Sequence, residues 1–355
     1  MQWLPDDPLL ALVFQTGLAV IGCSILMLIA VFLLRARLVM RQRRERRFNL
    51  LWQPVLAQCV HGVPENLPGV PRNMLYHFLK LWIYHHESLA GSARTNLEAM
   101  ALAMQLDKPV RELIGSDDLR LRLIALVTLG KLGDRTRLSV MRELVADPSP
   151  VLSLMAARAL LQIDPAAELP FLIAVMARRE DWPLARLVTM LREAGSDSVT
   201  QPLVKALEAA IQNGEEGNQI VRLLNLMEVA HTGQVAPVAS RIIRHGTVPD
   251  QIAAALRVVQ DPRDREVVRA LTRHEKWFVR ARAARVIGRI GDDSDRKLLV
   301  RMLGDAHWWV RYHAARALLA LPGARIEDIE KVQATLGDRY AADMLGQAIA
   351  EARAK

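Results

Sequence analysis

The chain repeats itself. WFVRARAARVIGRIGD, beginning at Trp277, returns 31 residues later as WWVRYHAARALLALPG, beginning at Trp308. Ala156-Ala157-Arg158 matches Ala283-Ala284-Arg285 at an offset of 127, and GKLGD from Gly130 matches GRIGD from Gly288 at an offset of 158. Both distances are whole multiples, four and five, of a spacing just under 32. Turn-forming pairs such as Gly133-Asp134, Asp164-Pro165, Asp261-Pro262, Gly291-Asp292 and Pro322-Gly323 separate apolar-periodic runs of about 10–15 residues, which read as paired short helices. A unit this short cannot bury its apolar face alone, so neighbouring units must stack around one continuous core. Composition agrees: 51% of residues are apolar and only 5% aromatic, with Ala, Leu and Arg dominating over the β-branched and aromatic residues that favour strands.

The unit VRxxAAxxxGxxGD followed by a Leu-rich helix resembles the HEAT repeat, in particular the short bacterial type of phycocyanobilin lyase-like HEAT proteins. Val279, Arg280, Ala283, Ala284, Gly288, Gly291 and Asp292 carry the pattern once, and Val310, Arg311, Ala314 and Ala315 carry it again. The resemblance extends over residues 92–350, about nine repeats, and fades between 183 and 260, where the Ala-Ala and Gly-Asp elements are mostly missing. It implies an all-α, right-handed α-α superhelix, a HEAT-repeat solenoid, capped by the helix near residues 74–86 and by the C-terminal AADMLGQAIAEARAK. It further implies that the arginine after the valine, Arg280 or Arg311, pairs with a turn aspartate of a neighbouring repeat.

Ahead of the repeats, residues 9–34 form 26 consecutive residues without a charge, which as a helix would span about 39 Å at ~1.5 Å per residue. That exceeds the ~30 Å hydrocarbon core of a bilayer. The acidic start, MQWLPDDP, lacks the basic n-region of a cleaved signal peptide. Arg35, Arg37, Arg41, Arg43, Arg44, Arg46 and Arg47 follow at once, opposed only by Glu45, and no basic residue precedes the run. By the positive-inside rule, residues 1–8 form a short extracytoplasmic tail, 9–34 one transmembrane helix, and 35–70 a basic juxtamembrane segment and hinge; 71–355 are the cytoplasmic repeat domain. The arginines set topology and contact anionic headgroups, and the setting is a bacterial inner membrane. Pro54 should break or kink any helix there, and the proline-glycine stretch 61–71 is the expected hinge. Gly17 and Gly22 stand five apart and make no GxxxG dimer face.

The net charge of +9 is concentrated: residues 35–47 carry +6, and residues 262–316 hold 14 basic against seven acidic side chains. The second cluster is the candidate site. At a 31-residue period, Arg285 and Arg316 fall in one column, with Arg158 further up, and Arg282 and His313 fall in a second. Trp277, Trp308 and Trp309 recur at the repeat junctions. Arginine with tryptophan is the composition of protein-interface hot spots, and it also suits stacking on bases.

Catalytic signatures are missing: the chain has no GxGxxG, no P-loop, no GxSxG and no HExxH. Adjacent residues on a helix point about 100° apart, so His85-His86-Glu87 cannot chelate one ion, and Asp292-Asp293-Ser294-Asp295 falls where the repeat requires a helix cap. Cys23 and Cys59, far apart and without a CxxC, exclude a disulfide framework and a thiolate zinc site. The expected function is a non-enzymatic, membrane-anchored scaffold that needs no cofactor and binds a partner protein, in an envelope, polysaccharide or signalling assembly. The alternatives are a HEAT-like protein acting on nucleic acid through 262–316, disfavoured by the anchor, and a bilin-lyase-like enzyme.

Overall fold

A computed structural model describes residues 8–215 and 217–354; Asp6 and Asp7, in the expected extracytoplasmic tail, lie outside the described residues. The described residues form helices and no strand, and the chain divides into two compact units, Met1–Leu132 and Gly133–Lys355. The first unit contains α1 (Pro8–Gln58), α2 (Leu75–Ser88), α3 (Ser92–Ala103), α4 (Asp107–Leu113) and α5 (Leu119–Leu132).

Helix α1 is 51 residues long and contains both the apolar run and the basic segment. By length and composition it could cross a membrane, and among the described residues its apolar portion is not buried: Leu18, Leu26, Leu28 and Phe32 are all exposed. Pro54 does not end the helix, which runs on to Gln58. Proline removes one N–H and so frees the carbonyl four residues back. Pro54 and Leu50 both face solvent, where water can satisfy that carbonyl. The opposite face is committed. Phe48, Trp52, Leu56 and Cys59 recur at helical spacing, and all are buried. The Trp52 ring meets Phe78 of α2 at 4.6 Å, edge to face. His77 pairs with Asn49 at 2.8 Å, and Asn96 donates to the Cys59 carbonyl at 2.9 Å. Residues 48–59 are therefore part of this unit's core, and helical structure first lapses after Gln58.

The second unit runs from α6 (Leu138–Val145) through α7 (Pro150–Ile163), α8 (Pro165–Arg178), α9 (Leu184–Ala194), α10 (Ser196–Gln212), α11 (Gly217–Leu226), α12 (Thr232–His245) and α13 (Pro249–Ala255). It continues with α14 (Arg265–Leu271), α15 (Trp277–Ile290), α16 (Arg296–Met302), α17 (Trp308–Ala320), α18 (Ile326–Thr335) and α19 (Arg339–Arg353). Odd-numbered helices from α7 to α19 pack in one row, each on the next, and α8, α10, α12 and α14 pack in a second row behind them.

Small residues set the spacing within the odd row. Ala283 and Ala284 of α15 and Ala314 and Ala315 of α17 are fully buried where these helices meet. A Cβ on Gly288 would lie 2.8 Å from the Ala317 Cα, so only glycine allows this approach. Gly291 is needed for space too, since a Cβ there would strike the Ile287 carbonyl and lie 2.9 Å from Asp295 Oδ2.

Buried carboxylates tie even-numbered helices to their neighbours. Glu168 receives Arg142 at 2.6 Å, Asp264 receives Arg244 at 2.6 Å and Asp295 receives Arg269 at 2.6 Å; these acids are at most 2% exposed. Asp292 and Asp295 also close a capping box: Asp292 accepts from the Ser294 N–H, and Asp295 accepts from the Asp292 N–H at 3.0 Å.

Candidate functional site

Helices α11, α15 and α17 of the second unit, with the start of α12 and the turn after α13, line a groove of about 600 Å³. Its floor is apolar, formed by Leu224, Met227, Val235 and Leu256. Its charge comes from Arg257, Arg282, Arg285 and Arg289, with Glu228 as the one carboxylate in the lining and His313 at the α17 side. Positions 282, 285 and 289 are spaced i, i+3, i+7, which places them on one face of α15.

The four arginines play three parts. Arg282 donates to the Ala253 carbonyl at 2.5 Å, and Arg289 donates to the Leu256 and Val259 carbonyls at 3.2 and 3.0 Å. These carbonyls belong to the C-terminal end of α13 and the turn after it, which two cations stabilise. Arg257 pairs with Glu228 at 3.0 Å, and Arg192 reaches the same carboxylate at 3.6 Å. Arg285, exposed between its neighbours, makes no hydrogen bond or ion pair among the described residues. Burial, and then the charges of Arg257 and Arg285, hold Arg282 below the ordinary arginine value; Asp250 opposes this. Arg289 is lowered by burial and by Arg285. His313 is lowered by burial and then by Arg285, Arg316 and Arg282, so near neutral pH its imidazole is uncharged.

The structure thus brings Arg282, Arg285 and His313 together in the groove, with Trp309 and Arg316 beside His313 and the other predicted residues making their own contacts. Trp309 adjoins the groove through His313, with ring centroids 6.0 Å apart. Arg316 does not line it and sits 5.7 Å over the Tyr312 ring. Trp308 stacks on Tyr312 at 5.2 Å. Trp277 stacks on His307 at 3.8 Å, with the planes 5° apart. All three tryptophans are more than a third exposed. Arg158 faces Glu193 at 2.9 Å. The expected valine-arginine ladder forms at Arg280, which grips Asp305 through two nitrogens at 2.7 and 2.8 Å. It does not form at Arg311, whose guanidinium lies 5.8 Å over Tyr340; the position 31 residues beyond Asp305 is Leu336, which has no charge to offer.

Arg289 and Arg257 are groove residues that sequence columns alone do not reveal. The i, i+4 relation of Arg289 to Arg285 carries a signal for the first, whereas Arg257 enters from a turn and leaves none.

In the first unit, Arg35, Arg37, Arg43, Arg44, Arg46 and Arg47 project from α1 as exposed side chains, and the Arg41 side chain lies outside the described residues. Arg44 faces a cleft shared with Tyr76, His77 and Lys80 of α2. His86 pairs with Glu98 at 2.9 Å through one ring nitrogen, and Lys131 lies 3.4 Å from the other and 3.3 Å from Glu87. Among the described residues no group of three or more His, Cys, Asp or Glu could hold a metal ion.

Stacked helix pairs, Ala-lined crossings and a row of capped turns define an α-solenoid repeat protein. The chain belongs to the HEAT-repeat family, whose model matches residues 106–192, 240–319 and 265–352, more than half of its length. The unmatched 193–239 fall within the stretch where the sequence pattern fades. No curated protein matches the chain. HEAT repeats commonly mediate protein interactions, and proteins of this family are typically non-catalytic.

Proposed function

We propose that this chain is a non-catalytic adaptor, held at a bacterial inner membrane by α1, whose cytoplasmic repeats take up a partner protein. The observation that carries the reading is the groove, whose lining holds four arginines and a single carboxylate, with Arg285 unpaired among the described residues. Arg257, Arg282 and Arg289 have structural partners, but Arg285 adds a further like charge beside them without a matching acid, which is better explained by a ligand than by packing. The bare apolar length of α1, followed by seven arginines, supports the tether and an N-out orientation. The exposed arginines of α1 then reach anionic headgroups. Envelope, polysaccharide or signalling assemblies supply partners at such a surface.

The test is to crosslink tagged full-length protein in membranes of its host and identify what is recovered with it, in parallel with Arg285→Glu. A specific membrane or cytoplasmic protein recovered with the parent and lost with the variant supports the adaptor. Recovery of nucleic acid, or the same proteins with both forms, refutes it. A reporter fused after Lys355 should be active in the cytoplasm; activity only outside it would reverse the topology.

A further inference from the structure

The backbone around the groove narrows the ligand. It presents carbonyl oxygens, from Ala253, Leu256, Arg257 and Val259, and Arg282 and Arg289 already donate to them. Phosphate sites ordinarily rely on backbone N–H groups at a helix N-terminus; the start of α12 borders this groove, but the arginines gather over the C-terminal end of α13, on the other side. The charged donors on α15 are guanidinium N–H groups spread along one face, a spacing that suits several separate carboxylates. Each guanidinium can grip a carboxylate through two parallel hydrogen bonds. The floor of Leu224, Met227, Val235 and Leu256 rewards apolar groups lying between those carboxylates. A polynucleotide needs a charged track along its backbone, whereas the arginine cluster is confined to a groove of about 600 Å³.

We infer that the groove binds an acidic peptide segment of the partner, with its carboxylates on Arg285 and on the outward N–H groups of Arg282 and Arg289, and its apolar side chains on the floor. This rests on the adaptor reading and specifies the chemistry of its partner. Arg285 is the central contact, because it alone of the three has no intramolecular partner among the described residues. Replacing it with glutamate puts a carboxylate at i+3 from Arg282 and i−4 from Arg289, which relieves their repulsion. The variant should therefore fold at least as well as the parent while losing the ligand.

The experiment measures fluorescence anisotropy of a labelled glutamate-rich peptide carrying two leucines, against full-length protein in uncharged detergent micelles. Its glutamine counterpart is the control for micelle binding. The glutamate peptide should bind and the glutamine peptide should not. Arg285→Glu should weaken binding about tenfold or more, with an unchanged helical spectrum and an equal or higher melting temperature. Arg301→Glu on α16 makes the same change in net charge outside the groove, and should stay within about twofold of the parent. Equal binding of both peptides, no effect of Arg285→Glu, or tighter binding of inorganic phosphate or of oligo-dT than of the peptide would overturn the inference. Two failures are distinguishable. If Arg285→Glu abolishes partner capture in crosslinked membranes but the acidic peptide does not bind, the adaptor stands and this inference falls. If capture is also indifferent to Arg285, both fall.

Discussion

Asp295 shows how much one side chain can hold in this fold. It accepts from two nitrogens of Arg269, at 2.6 and 3.1 Å, and from the Asp292 N–H, and it is almost wholly removed from water. Asp295→Ala should lower stability by about 3–5 kcal/mol, because it strips a buried ionic pair of one partner and opens the cap, and thermal denaturation would show it. His313 makes a prediction about pH. Burial and the neighbouring Arg285, Arg316 and Arg282 lower its proton affinity in the folded state, so the unfolded chain binds that proton more tightly. The resulting stability is intact above the ordinary histidine value near 6.5 and is lost as pH falls through it. His85 and His86, also lowered by burial, contribute in the same direction. Melting temperature followed from pH 7.5 to 5 should therefore fall less steeply in His313→Gln than in the parent, with His85 and His86 common to both. An identical slope would mean that His313 does not titrate differently on folding.

Between elements, the decisive distance is the one separating α15 from α17. Gly288→Ala drives a methyl group into the Ala317 backbone, and overpacking of this kind costs about 1–3 kcal/mol. The loss should appear in chemical denaturation of the full chain. This level of the structure is readable from the sequence, because Ala283-Ala284, Gly288 and Gly291-Asp292 each mark a place where only a small residue or a cap fits, and they recur at a fixed period. The groove is only partly readable. The 31-residue columns identify Arg282, Arg285 and His313 as neighbours, but they cannot show that Arg282 is bonded to a carbonyl of α13. Nor can they show that Arg257 arrives from a turn, since neither fact depends on repetition. Pro54 misleads in the same way: its local preference is outweighed by the burial of Phe48, Trp52, Leu56 and Cys59, which is a tertiary effect.

At the scale of the whole molecule, the first unit depends on the last turns of α1. A chain comprising residues 42–355 keeps Phe48 to Cys59 and should be helical and melt cooperatively. One comprising residues 61–355 uncovers Phe78 and lacks Trp52, whose loss alone from a core is worth about 3–5 kcal/mol, and it should aggregate or melt broadly on gel filtration and circular dichroism. Equal behaviour of the two would remove α1 from the core. The continuity of α1 has a mechanical meaning as well. From Leu34 to Phe48 the helix rises about 21 Å at ~1.5 Å per residue, with no slack before the side chains that lock into α2. Anything gripping the apolar end would hold the first unit at a set stand-off, as a rod holds a head. A twist or tilt imposed on that end would arrive at the docked end as torque, where a flexible leash would have absorbed it.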